Sequence, residues 1–193
     1  MTISILILSA GSSSRMGTTK QLLPIGKTTL LGISIENAIQ SKANKIFCVL
    51  GANAKNIQQS LVQYDIEVIT NNNHNEGLSS SIIEGIQYIE DKNFDAVLIM
   101  LGDQPKVDSN YLNALISSFK KNPTKISASD YSNNIGVPAI FPKTFFKQLQ
   151  CLKGDKGAKD FLNTHKTQVI PIKSDKLVDI DTQEDYLNFL RSL

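Results

Sequence analysis

Between Leu8 and Lys20 the chain reads L-S-A-G-S-S-S-R-M-G-T-T-K. Glycines let backbone approach an anion closely, and successive N–H groups in such a loop form a nest for phosphate oxygens. Arg15 is one of two arginines in the chain, the other being Arg191. Its planar guanidinium suits bidentate contact with phosphate, so an arginine in this loop points to an oligophosphate. The plainer alternative is a polar surface turn with Arg15 and Lys20 in water.

A second stretch, G-K-T-T from Gly26, looks like the end of an ATPase phosphate loop. That loop requires G-x-x-x-x-G-K-[ST], and its first glycine position is held by Gln21. Pro24 also falls inside it and supplies no N–H, so the match is read as accidental. The earlier loop is not a dinucleotide fingerprint either, because five residues separate Gly11 from Gly17.

Carboxylates complete the candidate chemistry. D-A-V-L-I-M-L-G-D-Q-P brings Asp103 out at the end of an apolar run, where one carboxylate can hold Mg²⁺ against phosphate oxygens. V-D-I-D-T-Q-E-D offers Asp179 and Asp181 on one side of an extended segment, with Asp181 just ahead of a capping-box pattern, Thr182 to Asp185. Both sites have structural alternatives: a turn aspartate bonding its own backbone, and a charge at a helix N-terminus.

The elements that must position these groups follow from periodicity. Ile3 to Leu8, Lys45 to Gly51, Ile66 to Thr70 and Asp95 to Leu101 are apolar runs without helical period, as strands covered on both faces would be. Between them lie helical faces: Leu31, Ile35, Ala38 and Ile39; Ile57, Leu61 and Val62; then Leu78, Ile82, Ile83, Ile86 and Ile89. The alternation predicts βαβ units and a mostly parallel sheet, which puts the glycine loop and Asp103 at one carboxyl edge, where such sheets bind ligands. Asp108 is expected to cap a helix carrying Leu112, Leu115, Ile116 and Phe119, and K-I-S-A-S to form a short strand. An antiparallel excursion through the Asn133-Asn134 turn follows, with Pro138 expected at a sheet edge. Tyr186, Phe189 and Leu190 mark one side of a last helix.

Composition bounds the reading. With 193 residues, 41% hydrophobic and 20% charged, the chain suits one globular domain, residues 1–193. A net charge of +2 with scattered lysines gives no nucleic-acid surface, so the expected partner is a small molecule. Cys48 and Cys151 are far apart and form neither a disulfide framework nor a zinc pattern. No basic residue precedes the first apolar run, which is read as a strand and not a leader peptide; no stretch approaches the ~20 apolar residues of a membrane helix. A cytoplasmic protein is expected, without membrane contact.

Taken together, L-S-A-G-S-S-S-R-M-G-T-T-K-Q-L-L-P, G-L-S-S-S-I-I-E-G-I, L-G-D-Q-P, G-V-P-A-I-F, L-K-G-D-K-G-A-K and D-I-D-T-Q-E-D-Y resemble the nucleotidyltransferases of molybdenum cofactor biosynthesis, and among them the cytidylyltransferases. The resemblance implies the α/β nucleotide-diphospho-sugar transferase fold (GT-A-like, Rossmann-like), a mixed, mostly parallel sheet flanked by helices. It also implies Mg²⁺ dependence and transfer of CMP from CTP to the terminal phosphate of molybdopterin, with pyrophosphate released. Transfer to another phosphate acceptor, such as a sugar phosphate, and a non-catalytic nucleotide-binding cofactor chaperone are the alternatives. A recipient molybdoenzyme or chaperone would be a transient partner.

Position by position, the resemblance assigns Leu8, Ser9, Ala10, Gly11, Ser12, Arg15, Met16, Gly17 and Lys20 to the nucleotide, with Gly77, a base-contacting Ser81 and Asp103. Arg15, Lys20 and Asp103 would be catalytic; Asp103 and Asp181 would hold the metal, with Asp179 the alternative to Asp181. Gly136, Pro138, Gly154, Asp155 and Gly157 would face the acceptor. Ser9-Ala10-Gly11 is the variant that accompanies CTP users. Three positions depart from the family pattern: His74 stands where an aromatic is usual, Lys159 replaces Arg and Gln183 replaces Pro. His74, among asparagines, is read as a solvated loop residue.

Overall fold

Every residue from Ile3 to Ser9 is buried, as a strand with helices on both faces requires. A computed structural model describes residues 1–132 and 134–193, so Asn133 of the expected Asn133-Asn134 turn lies outside the described residues. In chain order the elements are β1 (Ile3–Ser9), β2 (Pro24–Ile25), β3 (Thr28–Thr29), α1 (Leu30–Ile39), β4 (Lys45–Leu50), α2 (Ala54–Ser60), β5 (Glu67–Thr70), α3 (Leu78–Glu90) and β6 (Ala96–Leu101). There follow α4 (Ser109–Lys121), β7 (Ile126–Asp130), β8 (Ile135–Pro142), α5 (Phe146–Leu149), α6 (Ala158–Thr164), β9 (Val169–Lys173) and α7 (Gln183–Arg191).

Seven strands form one sheet in the order β5-β4-β1-β6-β8-β7-β9. All run the same way except β8, which is antiparallel to β6 and β7. The chain moves from β1 outward through β4 and β5, then returns to place β6 on the other side of β1. The loops leaving the carboxyl ends of β1 and β6 therefore diverge from a switch point, the usual crevice of an open α/β sheet.

Strand alternation sorts the core into two layers. Ile3, Ile5, Ile7, Cys48, Leu98 and Met100 face α1 and α4, while Leu6, Leu8, Phe47, Val49, Val97 and Ile99 face α3, α5 and α6. Phe141 of β8 is fully buried, with its ring edge-on to Phe161 of α6 at 6.0 Å between centroids. We expect Phe141→Ala to lower the unfolding free energy by ~3–5 kcal/mol in urea titrations, since the cavity could collapse only partly. A smaller cluster of Ile25, Leu30, Ile180, Tyr186 and Phe189 docks α7.

Asp108 caps α4 by accepting a hydrogen bond from the Tyr111 N–H at 2.9 Å, and it pairs with Lys176. Burial opposes its ionisation, but Lys176 and the N–H outweigh this and hold its pKa below 3.8. A depressed carboxylate contributes stability above its unfolded pKa and loses it as the pH falls. Asp108→Asn, which keeps the cap acceptor, should therefore be less stable than wild type at neutral pH, and the two melting curves should converge below pH 3.8.

Several expectations need correction. Pro138 is not at an edge: β8 is interior, and proline is accommodated because the pairing of β7 with β8 shifts register between Ala128 and Ser129. Ile39 is 42% exposed at the end of α1, and Val62 is 85% exposed because α2 stops at Ser60. The two cysteines, which read from sequence as ordinary buried or half-buried thiols, differ: Cys151 is exposed, whereas Cys48 is buried and its thiol is pushed up to about 12. The G-K-T stretch supplies the turn between β2 and β3. No helix is long and apolar enough to cross a membrane among the described residues.

Candidate active site

Loop geometry at the end of β1 is set by a buried glutamine. Gln21, 3% exposed, donates from Nε2 to the Gly11 carbonyl at 3.0 Å and to the Ser9 carbonyl at 3.3 Å, and its Oε1 accepts from Ser13 Oγ at 3.1 Å. The residue that excluded an ATPase loop is thus the internal brace of this one. Gly17 closes the turn at φ 65°, where a side chain would be strained. Met16 packs against the small α7 cluster and so anchors the loop.

Asp103 leaves β6 beside this loop, tied by the Gly102 N–H to the Leu8 carbonyl at 3.1 Å. Asp181 comes from far along the chain, and two features place it. The Ile180 N–H donates to the Asp103 carbonyl at 3.0 Å, and the Asp185 carboxylate accepts from the N–H groups of Asp181 and Thr182. The reciprocal Thr182–Asp185 box thus fixes both the start of α7 and the second carboxylate.

Lys20 joins the two. Its Nζ lies 2.6 Å from Asp103 Oδ2, 2.8 Å from Asp181 Oδ1 and 3.3 Å from the Ile180 carbonyl oxygen. Arg15 Nη2 reaches Asp181 Oδ2 at 3.2 Å. Burial alone would lower the Lys20 pKa, but Asp103 and Asp181 outweigh it and hold it above the ordinary 10.5. Hydrogen bonding from Lys20 in turn holds Asp181 below 3.8. Asp103 Oδ1 is buried without a partner. Asp179 turns its carboxylate to Gln104 Nε2 at 2.7 Å; burial, then the charges of Asp103 and Asp181, raise its pKa.

These groups line a cleft of about 400 Å³ that continues into a second lobe of about 270 Å³. Leu8, Leu78, Leu101 and Asp179 belong to both lobes and form the neck. Of the expected nucleotide residues, Leu8, Ser9, Ala10, Gly11, Ser12, Lys20, Gly77, Ser81 and Asp103 line the first lobe, as does Asp181. Arg15, Met16 and Gly17 do not, although Arg15 reaches Asp181. The N-terminus of α3 opens on this lobe through Gly77, Leu78 and Ser81. Ser81 Oγ accepts from Asn71 Nδ2 at 3.0 Å, which leaves its hydroxyl hydrogen for a ligand acceptor. His74 lines the lobe and packs close to Gly51, where an added Cβ would come within 2.5 Å of the His74 Cβ. It is a wall residue, not the solvated one expected.

The second lobe has apolar walls from Ile82, Val137 and Ala158, with Tyr131, Asn134 and Lys159 as polar groups. Gly136 lines it: the Tyr131 ring lies so close that a Cβ there would sit 2.9 Å from it. Tyr131 itself is held by Gln104 Nε2 at 2.8 Å and donates to the Val137 carbonyl. Pro138, Gly154, Asp155 and Gly157 line neither lobe. Pro138 is buried and its carbonyl accepts from Ser129 Oγ. The Gly154 carbonyl accepts from the Ser79 N–H and hydroxyl, and Gly157 closes on Leu78, so this loop braces the neck.

Sequence reasoning missed Gln21, Asn71 and Gln104, all at most 3% exposed. The available signal was amide side chains beside motif glycines, serines and Asp103, where a buried amide must have partners.

Comparison with known proteins agrees with this architecture. The chain is 27% identical to the purine catabolism protein PucB of Bacillus subtilis over 190 residues, 93% of this chain and 91% of that one. A crystal structure of an Rv0371c homologue from Mycobacterium sp. strain JC1 superposes with a TM-score of 0.86 at 31% identity, covering 98% of this chain and 96% of the other. The Mycobacterium tuberculosis Rv0371C complex with manganese gives 0.84 at 28% identity, with both chains fully covered. Residues 5–169 match the model of the MobA-like NTP transferase domain. With residues 5–169 matched and this fold shared over nearly its whole length, the chain belongs to the MobA-like NTP transferase family and is a nucleotidyltransferase.

Proposed function

We propose that the protein moves CMP from CTP to the terminal phosphate of a molybdopterin-type acceptor in the cytoplasm, with Mg²⁺ as cofactor and pyrophosphate as the second product. The observation that carries this reading is the two-lobed cleft, with the carboxylates and Lys20 on one side of the neck and a partly apolar lobe on the other. The first lobe suits a nucleoside triphosphate. The second suits a flat ring system, with Lys159 available for an anionic group. Ser9-Ala10-Gly11 favours CTP by family analogy.

A phosphate monoester is ionised near neutral pH, so its oxygen can attack the α-phosphorus without a general base while the bond to the β-phosphate oxygen breaks. Asp103 and Asp181 fit a hard divalent ion: they offer oxygen donors only, and Asp103 Oδ1 is unpartnered. When bound there, the ion would supply charge stabilisation at the α-phosphate. Loop N–H groups, Arg15 and Lys20 would take up the charge of the leaving pyrophosphate, and the neck would align the two substrates. Delivery to a recipient molybdoenzyme or chaperone would follow release.

Pyrophosphate release measured with a panel of nucleoside triphosphates and phosphate acceptors tests the assignment. CTP with molybdopterin should give the highest kcat/KM. A sugar phosphate that outruns molybdopterin would overturn the acceptor, and GTP that outruns CTP would overturn the base preference.

A further inference from the structure

Lys20 uses its ammonium entirely within the protein. Its three contacts, to Asp103, Asp181 and the Ile180 carbonyl, match the three hydrogens it has to donate. Arg15, whose side chain is 71% exposed, adds its guanidinium to the other oxygen of Asp181. The two cations expected on the phosphates are therefore the counter-ions of the two carboxylates expected on the metal.

We propose that Lys20, assisted by Arg15, is the resident counter-ion of the Asp103–Asp181 pair, and that this makes a divalent cation and a nucleoside triphosphate bind as one unit. The inference rests on the reading of Asp103 and Asp181 as metal ligands. A divalent cation arriving alone must expel the ammonium from three hydrogen bonds into a cleft whose remaining carboxylate, Asp179, already accepts from Gln104. A nucleotide arriving alone must draw Lys20 away and leave two part-buried carboxylates with only the exposed Arg15 against Asp181, which is costly. When both arrive, every charge changes partner and none is stranded: Asp103 and Asp181 receive the cation, and Lys20 and Arg15 pass to the phosphates. Gly11 and Ser12 line the same lobe as Lys20, so phosphates held by the loop would lie in the cleft that Lys20 already borders.

Linkage makes the coupling reciprocal and measurable: each ligand should tighten the other by ~10–100-fold, within the usual range for coupled sites. Free Mn²⁺, followed by its electron paramagnetic resonance signal, can be titrated with protein alone and with protein plus CTP, allowing for Mn²⁺–CTP formed in the buffer. Wild type should bind Mn²⁺ alone weakly and tighten on adding CTP. Lys20→Met should bind Mn²⁺ alone ~10-fold or more tightly than wild type and lose most of the coupling. Its melting temperature, lowered by the unpaired carboxylates, should rise with Mn²⁺ alone, where that of wild type does not. Arg15→Gln, a change on an exposed side chain, should shift Mn²⁺ affinity the same way by less. Wild type that holds Mn²⁺ equally well with and without CTP, or variants whose Mn²⁺ affinity does not change, overturns the counter-ion role while leaving the metal site standing. Absence of Mn²⁺ binding even with CTP present overturns the metal reading itself.

Discussion

Lys20→Ala should lower pyrophosphate release by about 10²–10³-fold, the loss seen when one preorganised donor to a developing charge is removed. The structure gives that variant a second signature. Lys20 is the only group in contact with both Asp103 and Asp181 among the described residues, so its loss leaves two carboxylates without their shared cation. Stability should therefore fall in the presence of a chelator, and circular dichroism should still report the folded sheet, because Lys20 belongs to neither buried core cluster. Activity close to wild type in a folded Lys20→Ala protein would remove the lysine from the chemistry.

The second large effect is expected at Asp103. Asp103→Asn preserves shape and can still accept a hydrogen bond from Lys20, yet removes the charge that a divalent ion would require. Turnover should drop by about 10²-fold or more with nearly unchanged unfolding free energy, as for an interaction that acts mainly in the transition state. The comparison with Lys20→Ala is informative because the two residues share one ion pair: the double variant should be little worse than the poorer single variant. Steady-state kinetics on the four proteins checks both statements. Losses that multiply in the double variant would mean that the two residues act independently.

Which parts of this were legible from residues alone has a physical pattern. β1, β4 and β6 were, because a strand buried on both faces leaves a continuous apolar run, and the chain from Lys45 to Leu50 can hardly be anything else. β9 was not: Val169–Lys173 is a short edge strand containing Pro171, and proline demotes such a run unless the pairing is known. The helix faces were legible in period but not in extent, so Val62, beyond the last turn of α2, was assigned to a core it does not reach. Leu78 shows a different limit. It keeps the α3 period, but it stands at the neck of the cleft, 43% exposed.

In the site, the glycine loop and Asp103 could be placed at one edge because both end sheet strands. The position of Asp181 depends on the Ile180 N–H pairing with the Asp103 carbonyl, a contact between distant segments that no local pattern encodes. Likewise, the loop motif announces Lys20 as a cation for phosphate but not its position between two carboxylates. The second lobe was least legible: the motif glycines Gly154 and Gly157 pack against Gly77 and Leu78 at the α3 N-terminus, and the lobe itself is walled by residues of ordinary type.

The central claim is that one cleft brings a nucleotide α-phosphate to an acceptor phosphate. Incubation with α-labelled CTP, a divalent cation and molybdopterin, followed by separation of the products, tests this most directly. The account predicts that label passes to the acceptor as CMP joined to the molybdopterin phosphate through a diphosphate, while unlabelled pyrophosphate is released in equal amount. Label that remains in CTP, although CTP is bound, would contradict it.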